Sequence, residues 1–371
     1  MLLVVFGAGA SFDSVPHLPA PGPPSEGLAN WEDRPPLANQ LFDTRRIFVN
    51  LMEKFKDCQA LVPILRHSGT SVEKKLAEFQ EQAKTFPQTN RELAAIHFYL
   101  HFALWDCQDR WRDKHRGITN FSTLLREIER WRFERKEKVC FVTFNYDTML
   151  EEAMSQVLRL EVSDIGGYRW ENYSLFKLHG SINWGRVVYV IDPDPNKNLD
   201  RLYQRLIDDA LPGAQVITNT YRLCDHDIRP IPIKLGARYA PEDTTSVVLY
   251  PALSIPVEKK DALSCPREHV AALAAMLPNV TKMITIGWRA TEAEFLNMLL
   301  ASRSVLVSGL RQPVNLLVVT GSAEGAAETV QNLVRVTGAS PALFQERFPV
   351  TTGFTGLIIN DLERLGAFLR T

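Results

Sequence analysis

Three short segments combine residue types that could do chemistry. Gly7-Ala8-Gly9-Ala10-Ser11 follows an apolar run at the start of the chain. Glycines in such a turn let the backbone approach a pyrophosphate, and the helix that opens after it presents N–H groups and the positive end of its dipole. The third glycine of a dinucleotide fingerprint is absent, with Phe12 in its place, so this segment alone is equally a tight strand–helix turn. Thr143-Phe144-Asn145-Tyr146-Asp147 lies where a strand pattern gives way to a helical one. That is the carboxyl end of a strand, where open α/β sheets bind ligands. Asn145 offers a donor and an acceptor, while Asp147 is also well placed as a helix N-cap. The third segment is Lys177-Leu178-His179-Gly180-Ser181, with Asn183 and Trp184 just after. A histidine at a strand end beside glycine titrates near neutrality and can act as a general base; a satisfied structural histidine is the competing reading.

Two other patterns carry less. His97 and His101 stand at i and i+4 on a helical stretch, the spacing of zinc metalloproteases, but Phe-Tyr-Leu separates them and the catalytic glutamate is missing. Helix packing is the better account, and no metal is expected. The basic and aromatic stretches 110–116 and 130–138 are interrupted by Asp113, Glu134 and Glu137, which makes them solvated helix faces rather than a nucleic-acid surface.

The elements that must position these groups follow from periodicity. Leu2–Phe6 is a continuous apolar run ending at glycine, as in a strand buried on both faces of a parallel sheet. Residues 14–38 are too rich in proline and glycine for a helix or central strand and form a long loop. Helical stripes follow: Phe48, Leu51, Met52 and Phe55; Val72, Leu76, Phe79 and Ala83, after a capping pair Thr70 and Glu73; Leu93, Ile96, Leu100 and Leu104, after Thr89 and Glu92; and Phe121, Leu124, Leu125, Ile128 and Trp131. Strand patterns resume at 139–143, 175–178, 187–191, 247–250, 283–286 and 314–319, with helices near 201–211, 268–277, 291–302 and 323–337. The expected fold is α/β, a Rossmann-like doubly wound parallel sheet formed by residues 1–44 and 138–371, with 45–137 as an inserted helical bundle.

The chain of 371 residues is 45% hydrophobic and 23% charged, with a net charge of −1, which excludes a disordered chain and gives no global attraction to nucleic acid or anionic lipid. Its 5 cysteines are scattered and contain no C-x-x-C pair, as in a reducing compartment. No apolar run approaches the roughly 20 residues of a membrane span. The N-terminal MLLVVFGAGAS lacks the basic region of an export signal, so a cytoplasmic location is expected.

Taken in order, the three segments resemble the sirtuin superfamily, and more closely its bacterial antiphage NADase branch. The G-A-G-x-S turn is matched by Gly7, Ala8, Gly9 and Ser11, the mobile cofactor loop by residues 14–38, T-x-N-x-D by Thr143, Asn145 and Asp147, and the catalytic H-G by His179-Gly180. The T-F-N-Y-D and K-L-H-G-S-I-N-W spellings are those of the sirtuin-like defence proteins. Ile286-Gly287-Trp288 looks like the family's ribose-contacting turn. Deacylase sirtuins carry a four-cysteine zinc module after H-G; here residues 181–245 contain only Cys224, so a structural zinc lacks its ligands and protein deacylation is the less favoured activity.

The resemblance implies an NAD+ glycohydrolase that depletes NAD during phage infection, an abortive-infection effector with NAD as substrate. Nicotinamide leaves NAD as a neutral molecule, so cleavage passes through an oxocarbenium-like state, as in glycosidases. Asn145 would orient ribose, carboxamide or water; His179 would take a proton from water or a ribose hydroxyl; Asp147 would hold Asn145 or the ribose. Gly7, Ala8, Gly9 and Ser11 would hold the phosphates, and Thr143 and Gly287 complete the binding set. The resemblance also implies a homo-oligomer and a separate partner chain, such as a HerA-type ATPase or a short Argonaute complex, without direct nucleic-acid or membrane binding. The length leaves no room for a large appended sensor. A non-catalytic NAD- or ADP-ribose-binding subunit of a nucleic-acid-sensing complex is the alternative.

Overall fold

In the computed structural model Leu2–Phe6 is a strand with every residue buried, as its unbroken apolar pattern requires. The structure describes residues 1–16, 32–67, 72–190, 198–208, 217–232, 246–255, 264–304, 314–337, 344–346 and 349–371. Strands follow in chain order as β1 (Leu2–Phe6), β2 (Val139–Thr143), β3 (Tyr173–Lys177), β4 (Gly180–Val190), β5 (Ile217–Leu223), β6 (Ile231–Pro232), β7 (Ser246–Leu253), β8 (Lys282–Ile286), β9 (Val314–Val319) and β10 (Phe344–Glu346).

The chain divides into two compact units. The first comprises Met1–Leu37, Gln108–His179 and Lys259–Thr371. Among its described residues, 6 strands pair in the order β10-β9-β8-β1-β2-β3, every pair parallel. Renumbered within that sheet this is the order 3-2-1-4-5-6 of a doubly wound Rossmann fold, whose strand order reverses between β1 and β8. Helices of this unit include Asn120–Arg135, Met149–Leu158, Arg267–Met276, Ala293–Ser304 and Ala323–Thr337. Asn120–Arg135 buries Phe121, Leu124, Leu125, Ile128 and Trp131, the stripe its spacing foretold. Two C-terminal helices, Gly353–Ile359 and Leu362–Arg370, were not anticipated.

The second unit comprises Ala38–Cys107 and Gly180–Glu258. It holds the helices Arg46–Lys54, Val62–His67, Val72–Ala83 and Leu199–Asp208, and an antiparallel sheet in the order β5-β4-β7-β6. This differs from the expected insert at 45–137. Gln108 and the residues after it, including Asn120–Arg135, fall in the first unit, while β4 to β7 fall in the second. The stretches expected in the parallel sheet at 187–191 and 247–250 instead pair antiparallel, residues 187–190 with 246–249, and Ile191 lies outside the described residues. A short apolar strand carries no mark of which partner it will find. The helix expected to start at a Thr89–Glu92 box starts at Pro87, whose missing N–H suits a first turn. Thr70 and residues 17–31 of the expected loop lie outside the described residues.

His97 and His101 are core residues of the second unit. His101 Nε2 lies 2.9 Å from the carbonyl oxygen of His226, and the His97 ring packs 5.4 Å from that of Tyr250. Burial pushes both down to about 4, so they are neutral in the folded chain. Among the described residues no group of three or more His, Cys, Asp and Glu could hold a metal ion. Unfolding restores both imidazoles to about 6.5, so the unfolded chain binds more protons and stability is lost as pH falls from 6.5 towards 4. His226 acts in the opposite sense: Asp106, then Asp227, raise its pKa, and its contribution is lost as pH climbs above 6.5. A His101→Gln variant, which keeps an amide donor for the His226 carbonyl, should show a shallower fall in thermal midpoint over this acid range than the parent chain.

Candidate functional site

One row of the parallel sheet collects the sequence segments. Register pairs Phe6 with both Ile286 and Thr143, and Thr143 with Lys177. Each of these residues ends its strand on the same sheet edge. Gly287 therefore follows β8, Gly7 follows β1, Asn145 comes just after β2 and His179 just after β3. Backbone hydrogen bonds extend the row: Gly7 N donates to Ile286 O at 3.0 Å, Phe144 N to Phe6 O at 3.0 Å, and Leu178 N to Thr143 O at 3.1 Å. The edge lies at the point where strand order reverses, the place at which doubly wound sheets bind ligands.

The glycines of the first turn serve packing. Gly9 N donates to Gly287 O at 3.1 Å, and a Cβ on Gly7 would lie 2.5 Å from that same oxygen. Gly287 has φ +59, and a Cβ there would lie 2.4 Å from Ala10 N. The amides of Gly7 and Gly9 are thus engaged by the β8 turn rather than offered to a phosphate. Ala8 is exposed at the first position of the five-residue helix Ala8–Phe12, where an amide has no acceptor within the helix.

Ser11 was expected among the phosphate-binding residues, and its hydroxyl joins the first motif to the second, Thr143–Asp147. Ser11 Oγ donates to Asp147 Oδ2 at 2.6 Å, and Asn145 Nδ2 donates to Ser11 Oγ at 2.7 Å. The single hydroxyl proton is spent on Asp147, so Ser11 can only accept from Asn145. This places the amide nitrogen of Asn145 on Ser11 and leaves its carbonyl oxygen, Oδ1, buried with no hydrogen-bond partner among the described residues. Thr143 Oγ1 accepts Asn145 N at 3.1 Å and shapes the turn. Asp147 does not occupy the N-cap itself, which is Thr148, but its Oδ1 accepts Met149 N at 3.1 Å.

His179 is 8% exposed, with its ring 4.8 Å from that of Phe144; Phe144 in turn stacks on Trp288 at 5.5 Å. The sequence reading had given no role to Phe144, or to Gln108, which binds Thr148 through both amide ends. It also missed Lys177 and Glu151, an ion pair of 2.7 Å. Lys177 did carry a signal: a lysine closing an otherwise buried strand needs a partner.

A doubly wound parallel sheet whose polar side chains gather at the strand-order reversal defines a Rossmann-like α/β protein. Residues 139–269 match the SIR2-like domain, which supports a place in the sirtuin-like superfamily and an NAD-related function. That segment contains Asn145, Asp147, Lys177 and His179, whereas the Gly7 and Gly287 turns lie outside it. No curated protein matches the chain.

The close approach of the two turns makes Gly287→Ala a direct test of the site's frame. Strain at positive φ costs about 1–2 kcal/mol, and the overlap with Ala10 N adds to it. The variant should melt several degrees lower than the parent chain, measured by thermal unfolding.

Proposed function

We propose that the chain is an NAD+ glycohydrolase that cleaves the nicotinamide–ribose bond and acts as an antiphage effector by depleting NAD. The observation that carries this reading is the buried Asn145 Oδ1, an acceptor with no partner among the described residues, on a loop bonded through Ser11 to the turn after β1, the strand beside the strand-order reversal. An orphan acceptor of this kind costs stability unless a ligand or water meets it. A ribose hydroxyl, the carboxamide N–H of nicotinamide or the attacking water each supplies the missing donor.

In this reading Asn145 receives that hydrogen bond, with its amide locked by Ser11, and Asp147 holds Ser11 in turn. His179 takes the proton from water or a ribose hydroxyl as the nicotinamide departs. Thr143 shapes the Asn145 turn; Gly7, Gly9 and Gly287 set the spacing of the phosphate end, where Ala8 meets the ligand and Ser11 orients Asn145. The segment spellings T-F-N-Y-D and K-L-H-G-S-I-N-W support the defence role. An unregulated enzyme of this kind would kill its host, which supports control by oligomerisation or by a partner chain such as a HerA-type ATPase or a short Argonaute complex.

The test follows nicotinamide release from NAD by the purified chain, alone and with the partner encoded beside it. Asn145→Ala and His179→Ala should each lower turnover by about 100-fold or more, the range of lost acid–base and positioning groups, with thermal midpoints close to the parent. Unchanged hydrolysis in both variants overturns these roles. NAD binding without turnover under every condition favours the non-catalytic subunit.

A further inference from the structure

Lys177 is the least exposed charged residue near the site, with a side-chain exposure of 0%. Its ammonium donates to the backbone carbonyl of Asp147 and, at 2.7 Å, to Glu151 Oε1. Glu151 stands in the first turn of the helix Met149–Leu158, with a side-chain exposure of 10%. Burial pushes its carboxyl group up, against the pull of Lys177. An isolated buried ion pair is a weak source of stability, since desolvation offsets the attraction, and a hydrophobic pair of similar volume often serves as well. Its placement gives it a different use.

We propose that Lys177 is a positioning residue, tying the strand that leads into His179 to the loop that carries Asn145 and Asp147. The path is continuous. Lys177 Nζ holds the Asp147 carbonyl, the Asp147 carboxylate holds Ser11 Oγ, and Ser11 Oγ holds the Asn145 amide. Lys177 is also two residues before His179 in the same strand end. One ammonium thus sets the distance between the proposed base and the proposed hydrogen-bond acceptor. Glu151 compensates its charge and aims it, because a lysine with this burial needs a carboxylate.

The inference rests on the proposed NADase activity, and its test separates the two. Lys177→Met removes the tie, while Lys177→Met with Glu151→Leu removes the tie and leaves no buried charge unpaired. The double variant should fold with a thermal midpoint near the parent, yet its kcat should fall at least tenfold with KM within about threefold, as expected when transition-state positioning is lost. A double variant with parental kcat overturns the proposal, because a merely structural pair is replaceable by packing. If the single variant does not fold, the double variant decides. If the parent chain releases no nicotinamide either alone or with its partner, the NADase reading fails, and hydrogen exchange then reads the tie directly. Amides 145–149 should exchange at least tenfold faster in the double variant; equal exchange overturns the proposal.

Discussion

The first unit depends on a backbone contact that no side chain larger than hydrogen permits. At the strand-order reversal, the turn after β1 and the turn after β8 meet through Gly9 N and Gly287 O at 3.1 Å. A Cβ on Gly7, Gly9 or Gly287 would fall within 3 Å of the opposite turn. Parallel neighbours in this sheet leave their carboxyl edge in different directions, so their turns diverge unless something draws them together. Here the glycines do so, and they give the sheet edge a narrow, defined shape. Gly9, whose amide is spent on this contact, is among the residues expected at a phosphate.

On that frame rests a polar network with few degrees of freedom. Ser11 has one proton to give, and Asp147 receives it. This single allocation orients the Asn145 amide and decides that the group on offer is an acceptor. Among the described residues, Ser11, Asp147 and the Asn145 amide nitrogen satisfy one another, while Asn145 Oδ1 has no partner. A buried network with one open position is costly as structure and useful as a binding site. Residues 139–269, which match the SIR2-like domain, include Asn145, Asp147 and His179.

The second unit handles its polar groups differently. His97 and His101 are kept neutral by burial among aromatic rings, while His226 is held by two carboxylates. The same side chain is a core residue in one setting and one end of an ion pair in another. Helical spacing placed His97 and His101 on one face without saying what that face would meet. Tyr250, on β7, and His226 come from residues more than a hundred positions away.

Much of the first unit could be read in one dimension. The unbroken apolar run of β1, the apolar stretches Val139–Val142 of β2 and Leu316–Val319 of β9, and the glycine turn after β1 specify buried parallel strands, because such strands dispense with a polar face. The segments around Asn145 and His179 were likewise legible as strand ends. Three things were decided by tertiary structure. Strand partnership sent β4 and β7 to a separate antiparallel sheet, since pairing depends on residues distant in sequence. The allocation of the Ser11 proton depends on Asp147, 136 positions along the chain. The partnership of Lys177 with the Asp147 carbonyl depends on the register of β2 against β3. Local spacing carries the residue types and their order along the chain. Which donor meets which acceptor is a property of the folded sheet edge, where a shift of one residue would turn every side chain to the other face.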